Sequence, residues 1–178
     1  MNSKIVTVFG SAIPEPESEE YENAYKIGKL LAQNGFDICS GGAQGIMDAV
    51  SKGAKEEGKS AIGITVDIFK SNTTQHLTNE VKCNTLFERI DNLIKYGDAF
   101  IILPGVTGTL VELSIVWELI NKNVIEQKPI ACLGNMWRKI IEVMDERLSF
   151  ENKRPGLVKC HDSIEETIEY IKFQLNHN

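Results

Sequence analysis

The sequence predicts an α/β protein built on a doubly wound, mostly parallel sheet of about seven strands with helices on both faces. Three observations predict it. Short β-branched runs alternate with stretches of helical period along the whole chain. The strand candidates are apolar throughout, as strands covered on both faces are. The chain has 178 residues, 42% hydrophobic and 25% charged, enough to bury the core of one domain (1–178) without disulfides or metal.

The elements follow in order. "KIVTVF" (4–9) is a first strand. "PEPESEEYENAYKIGKLLAQNG" (14–35) is a helix with an acidic first turn, which suits the positive end of the helix dipole. Tyr21, Ala24, Ile27 and Leu31 recur along it at helical spacing, and Gly35 stands where a C′ residue belongs. "FDICS" (36–40), "KSAIGIT" (59–65) and "VKCNT" (81–85) are strands two to four, with a helix over 46–58 and an exposed polar loop, "KSNTTQHLTNE", over 70–80. The helix "LFERIDNLIKYG" precedes strand five, "AFIILP" (99–104). A helix from about Thr109 to Lys122 leads to strand six, "KPIACLG"; "MWRKIIEVMDERL", strand seven "GLVKCH" and the helix "SIEETIEYIKFQL" complete the pattern.

The net charge of −6 argues against a nucleic-acid partner, which needs a basic face. The opening "MNSKIVTVFG" lacks the apolar run of a signal peptide, and no apolar run reaches membrane-span length, so a cytoplasmic protein with no membrane partner is expected. Cys39, Cys83, Cys132 and Cys160 stand singly inside strands and read as buried small hydrophobes; His76, His161 and His177 lie in polar segments. Neither set suggests a metal site.

In an open parallel sheet, ligands bind beyond the carboxyl ends of the strands. Three turns there are glycine-rich: Gly10-Ser11-Ala12 after strand one, "SGGAQGIMDA" after strand two and "PGVTGT" after strand five. Each alone is an ordinary tight turn. Three on one edge, two of them opening helices, point to an anion held by backbone amides at helix N-termini. The first turn is not GxGxxG, and strand two ends at Ser40-Gly41 with no carboxylate for a ribose hydroxyl, which argues against an NAD site. No GxxxxGK[ST] exists, so the phosphoryl-transfer machinery of P-loop enzymes is absent too. A nucleotide-like ligand with one phosphate remains.

Thr109 and Glu112 have the spacing of a capping box, in which Thr109 caps and Glu112 reaches back. The same placement sets a carboxylate beside the phosphate amides. A bound phosphate repels it, so its presence fits a ligand that turns cationic. Cleavage of an N-glycosidic bond does that, because the ribose passes through an oxocarbenium-like state. Arg89, in "LFERIDNL", is either a surface arginine paired with Glu88 or Asp91, or a site residue that contacts the ligand or holds Glu112.

"SGGAQGIMDAV" (40–50) with "PGVTGTLVE" (104–112) resembles the LOG (Lonely Guy) family, whose signatures are GGGxxGxM and PGGxGTxxE and whose members often carry the label "possible lysine decarboxylase". The resemblance runs from strand one to about strand six. It implies a Rossmann-like homodimer that hydrolyses nucleoside 5′-monophosphates, AMP or cytokinin riboside monophosphates, to free base and ribose 5-phosphate without a cofactor. Residue by residue it implies Arg89 and Glu112 as catalytic, Gly105, Gly108 and Thr109 as the phosphate loop with Thr107 beside them, and Gly41, Gly42, Gly45 and Met47 as the first motif; Gly10 and Ser11 complete the expected binding set. Val106 replaces a glycine and leaves the backbone there less free; Ala43 replaces the third glycine of GGG, and Ile90 the lysine that commonly follows the arginine. No lysine stands in a pyridoxal-phosphate setting, against the decarboxylase label. A non-catalytic carrier or sensor of a nucleotide or molybdenum cofactor on the same fold is the alternative. The helix "TLVELSIVWELI" is apolar on more than one face, fitting a partner copy or simply the next helix.

Overall fold

The computed structural model describes residues 3–69 and 72–177. Met1 and Asn2 of the opening segment, and Lys70 and Ser71 of the expected polar loop, lie outside the described residues. The chain runs β1 (Ile5–Phe9), α1 (Glu19–Gln33), β2 (Asp37–Ser40), α2 (Ile46–Glu56), β3 (Ala61–Val66), a 3-10 turn (Asp67–Phe69), β4 (Asn79–Cys83), α3 (Leu86–Tyr96), β5 (Ala99–Ile102), α4 (Thr107–Asn121), β6 (Ile130–Leu133), α5 (Asn135–Phe150), β7 (Val158–His161) and α6 (Ile164–His177).

The strands form one seven-stranded sheet in the order β4-β3-β2-β1-β5-β6-β7, with every pairing parallel. The chain starts in the middle, winds outward to β4, then returns to the other side of β1 and winds outward again. This is the Rossmann-like, doubly wound architecture expected from the sequence. Its topological switch point lies between β1 and β5, where a crevice opens at the carboxyl ends.

Two apolar cores fill the two faces. Val6, Val8, Ile38 and Ile101 meet Ile27, Leu31, Val50 and Ile168 of α1, α2 and α6 on one face. Phe9, Phe100 and Ile102 meet Leu93, Val116, Trp117 and Trp137 of α3, α4 and α5 on the other. Leu113, Val116, Trp117 and Ile120 of α4 belong to this second core, while its Leu110 and Val111 are exposed.

Helix α1 starts later than its acidic lead-in suggests. Proline at 14 and 16 supplies no amide, and Glu17 turns left-handed at φ 73°. Ser18 then caps the helix by accepting from the Tyr21 amide at 3.3 Å. Helices α1 and α2 pack unusually closely, because each offers a glycine: a β-carbon on Gly28 would lie 2.2 Å from the Val50 carbonyl oxygen, and one on Gly53 2.3 Å from that of Tyr25. Gly28→Ala must push the helices apart, and thermal or denaturant melts should record a loss of about 1–3 kcal/mol.

The cysteines lie in β2, β4, β6 and β7 as expected, but Cys160 is only half-buried, and Cys132 stands opposite it in register across β6 and β7. Sequence spacing gives no hint of that neighbourhood. Among the described residues no helix is long and apolar enough to cross a membrane.

Candidate active site

The switch-point crevice holds a cavity of about 410 Å³. Its floor is laid by backbone connections between the loops. The Ser11 amide donates to the Pro104 carbonyl at 3.0 Å, joining the turns after β1 and β5. The indole N–H of fully buried Trp137 donates to the Leu103 carbonyl at 2.9 Å and fixes the approach to α4. The Ile46 amide donates to the Ser11 carbonyl at 2.9 Å, so α2 starts against the first turn.

Most of the sequence-predicted residues converge here. Gly10, Ser11, Gly41, Gly42 and Met47 line one side, and Arg89, Gly108, Thr109 and Glu112 the other. Gly45, Gly105 and Thr107 do not reach the wall. Gly45 is the left-handed residue before α2, packed on Ala12, and Gly105 is covered by the Thr109 side chain.

Most of these glycines also make room inside the protein. At Gly10, Gly41, Gly42, Gly45 and Gly105 the volume of a side chain is taken by protein: Ile46, Arg89, Thr65, Ala12 and Thr109 respectively. Gly108 alone among the predicted glycines has open space beside it. It sits in the first turn of α4, where helix geometry leaves the leading amides without intrahelical acceptors. Of the three loops, the opening turn of α4 is thus the one whose glycine leaves space beside its backbone.

Val106, at the N-cap of α4, has φ −108°, a value open to valine, so its replacement of glycine introduces no strain. Its side chain is exposed at the cavity mouth beside Ile13. Ala43 likewise needs no positive φ.

The capping box expected at Thr109 and Glu112 does not form. The helix begins two residues earlier, at Thr107, with no side-chain cap. That chemistry appears elsewhere: Thr85 accepts from the Glu88 amide while Glu88 accepts from the Asn84 amide, and Ser163 and Glu166 repeat the pattern on α6. Glu112 instead turns into the cavity and meets Arg89, Nη1 to Oε1 at 3.3 Å. Arg89 is no surface residue. It is 8% exposed, its Nε donates to the Ile64 carbonyl at 2.9 Å, and its Nη2 lies where a β-carbon of Gly41 would be, 1.8 Å away. Its predicted alternatives are engaged otherwise, Glu88 as a cap and Asp91 with Lys95.

Burial pushes the Glu112 carboxyl up to about 7, against the opposing pull of the Arg89 guanidinium. A carboxyl poised there exchanges protons at physiological pH, as a general acid or base must. Gly41→Ala forces the guanidinium off its seat. Since Ile64 and Glu112 hold it in place, activity should fall on the order of tenfold with a stability loss near 1 kcal/mol, measured by steady-state kinetics and melting.

Sequence reading missed Thr65, Asp67 and Thr73, which also line the cavity. Thr65 and Asp67 leave β3 at the same carboxyl edge and were findable by position alone; the search for glycines passed over them. Thr73 lies in the segment expected to be an exposed loop. Its neighbour Thr74 is in fact buried.

Comparison with known proteins gives four likenesses. The SLOG cluster4 family model matches residues 3–168. The rice (Oryza sativa subsp. japonica) protein "Cytokinin riboside 5′-monophosphate phosphoribohydrolase LOG" is 33% identical over 136 residues, 74% of this chain and 54% of its own length. The chain thus spans about half the length of that relative. Among solved structures, the molybdenum cofactor binding protein of Rippkaea orientalis superposes with a TM-score of 0.77 at 25% identity, covering 98% of this chain and 99% of its own. The molybdenum cofactor carrier protein of Chlamydomonas reinhardtii superposes with a TM-score of 0.78 at 20% identity, over 98% and 99%. This last likeness speaks to the fold alone.

Proposed function

The chain belongs to the SLOG cluster4 family, with LOG phosphoribohydrolases among its relatives, and from that premise we propose that it hydrolyses the N-glycosidic bond of a nucleoside 5′-monophosphate. AMP and cytokinin riboside 5′-monophosphates are the substrate class. The products are free base and ribose 5-phosphate.

One observation supports this reading most: a buried carboxyl with a near-neutral pKa, paired to a fixed guanidinium, beside a helix N-terminus with free amides. The 5′-phosphate binds the first-turn amides of α4 with Thr109. The ribose lies over Arg89 and Glu112. As the bond from C1′ to the base breaks, its electron pair leaves with the base, and the sugar becomes cationic. The Glu112 carboxylate stabilises that cation and takes a proton from the attacking water, whose oxygen bonds to C1′; the departing base is protonated from solvent. Arg89 holds the carboxylate in place. A binding-only pocket would gain nothing from an acid at this position.

A second copy of the chain completes the assembly in this reading. Phe87 on the first turn of α3, and Leu110 and Val111 on that of α4, are exposed apolar side chains flanking the Arg89–Glu112 pair. The alternative is a carrier without turnover, favoured by the likeness to the Rippkaea molybdenum cofactor binding protein.

A panel of nucleoside monophosphates, incubated with purified protein and chelator and read by chromatography, decides between them. Free base and ribose 5-phosphate are expected, adenine from AMP included. Ligand-dependent thermal stabilisation with no base release from any member would establish the carrier and end the enzymatic reading.

A further inference from the structure

Behind the cavity wall at Thr73 lies a second void of about 440 Å³, lined by Tyr21, Asp48, Lys52, Gln75 and His76 among others. Thr73 lines both spaces. The segment 72–76 is therefore a partition between the two spaces, and its side chains are polar and, Thr74 apart, exposed or half-buried. Apolar contacts cannot fix its position, so its hydrogen bonds must.

Those bonds converge on α2. The Thr74 amide donates to the Gly42 carbonyl at 2.9 Å, tying the partition to the first glycine motif. The Thr74 hydroxyl donates to Oδ1 of Asp48, a residue only 8% exposed. The other carboxylate oxygen of Asp48 accepts from the Tyr21 hydroxyl of α1 at 2.5 Å. Burial holds that phenol above its ordinary value, so it remains a donor across the physiological range. The His76 ring stands 3.9 Å from Oδ1. Weaker, exposed links run from Gln44 to the Asn72 carbonyl and from Lys55 to the Gln75 carbonyl, each at 3.2 Å. Asp48 lies in the first turn of α2, where a carboxylate is favoured by the helix dipole even when buried. Nothing in the chemistry of Glu112 and Arg89 uses this buried acid.

We infer that Asp48 is a positioning residue for the nucleotide: acting through the Thr74 hydroxyl, it holds Thr73 in the wall of the candidate active site and sets substrate affinity without entering the bond-breaking step. The inference rests on the proposed nucleotide reading of the cavity. When the link from Thr74 to Asp48 is cut, the partition is free to shift toward the space behind it, and the wall opens. Affinity falls while the Arg89–Glu112 pair, anchored to β3 and α4, stays in place.

Thr74→Val removes the hydroxyl at constant shape, Thr74→Ser keeps it, and Asp48→Asn keeps the volume while altering the acceptor. Each is compared with the intact chain in three measurements: kcat and KM for AMP hydrolysis, AMP dissociation constant by calorimetry, and amide hydrogen exchange at residues 72–76. Thr74→Val is expected to raise KM and Kd about tenfold, to change kcat less than twofold, and to lose protection at the Thr74 amide; Thr74→Ser should restore all three. Asp48→Asn should give the same split, and decides the matter if Thr74→Val does not fold. Unchanged KM and Kd, or a kcat loss at constant KM, overturns the inference. If the wild-type protein binds AMP but no member of the nucleotide panel releases its base, the enzymatic reading fails by itself, while calorimetry and exchange still judge the partition. If it does not bind AMP, both fall.

Discussion

Glu112→Gln should lower turnover about a thousandfold while leaving nucleotide binding within a fewfold of wild type. Glutamine keeps the shape and one acceptor oxygen for Arg89, but it can neither take a proton from water nor face a cationic sugar with negative charge. Two further readings follow from the Glu112 carboxyl, which burial raises to about 7. If the ionised form is the active one, kcat/KM of the wild type should climb with pH and reach half its plateau near 7. Stability moves the other way. The folded-state value lies above that of an unfolded glutamate, so the contribution of Glu112 to stability is complete below the ordinary carboxylate range and is lost as pH rises through about 7. The amount is on the order of 3 kcal/mol. Subtracting the stability–pH curve of Glu112→Gln from that of the wild type should expose this slope between about pH 4.5 and 7. Retention of base release within tenfold would falsify the role assigned to this carboxyl.

Arg89→Ala should be the most damaging substitution for the fold of the site. It strands the Ile64 carbonyl, which now accepts from Nε at 2.9 Å, and leaves Glu112 buried without its cation. Breaking a buried pair from one side removes about 3–5 kcal/mol, visible in denaturant titration. The guanidinium at present lowers the Glu112 carboxyl, so its loss raises that value beyond about 7. The rising limb of the pH–rate profile should move to higher pH, and activity at neutrality should collapse further than at pH 8.5. Arg89→Lys is not a conservative change here. One ammonium cannot span both Ile64 and Glu112 in the planar geometry that the arginine provides. A pH profile in Arg89→Ala that coincides with the wild-type curve would show that the two groups are not coupled.

The sheet and its crevice were legible because their signals are local. Apolar runs such as "AFIILP" and glycine-rich turns at the strand ends repeat in a rhythm that admits few architectures. The burial of Arg89 and its grip on Glu112 were less accessible. The first was visible only as an alternative to a surface ion pair, and what decides between them is the Ile64 carbonyl, 25 residues earlier in the chain. The capping box was misplaced for a similar reason. Thr109-x-x-Glu112 and Thr85-x-x-Glu88 carry the same spacing, but only in the second does the carboxylate lack a buried cation to attract it away from the helix end. Thr74 shows the limit of composition. A run of threonine, asparagine and glutamine reads as solvated, yet one of its hydroxyls is buried because Asp48, far off in sequence, offers an acceptor. The glycines show a further limit: the pattern marks close approach, and only the fold shows that protein fills the side-chain space at Gly10, Gly41, Gly42, Gly45 and Gly105.

Arg89 hangs from a carbonyl of β3 and braces the opening turn of α4, so the reacting pair is suspended from the rigid scaffold. The opposite rim, from Thr73 to Thr78, hangs on separate hydrogen bonds, from Thr74 to Gly42 and Asp48 and from Thr78 to Ala61, that involve neither Arg89 nor Glu112. Under the proposed reading, that rim can be exchanged for a longer, shorter or greasier one to admit a different heterocycle while the Arg89–Glu112 pair stays unaltered.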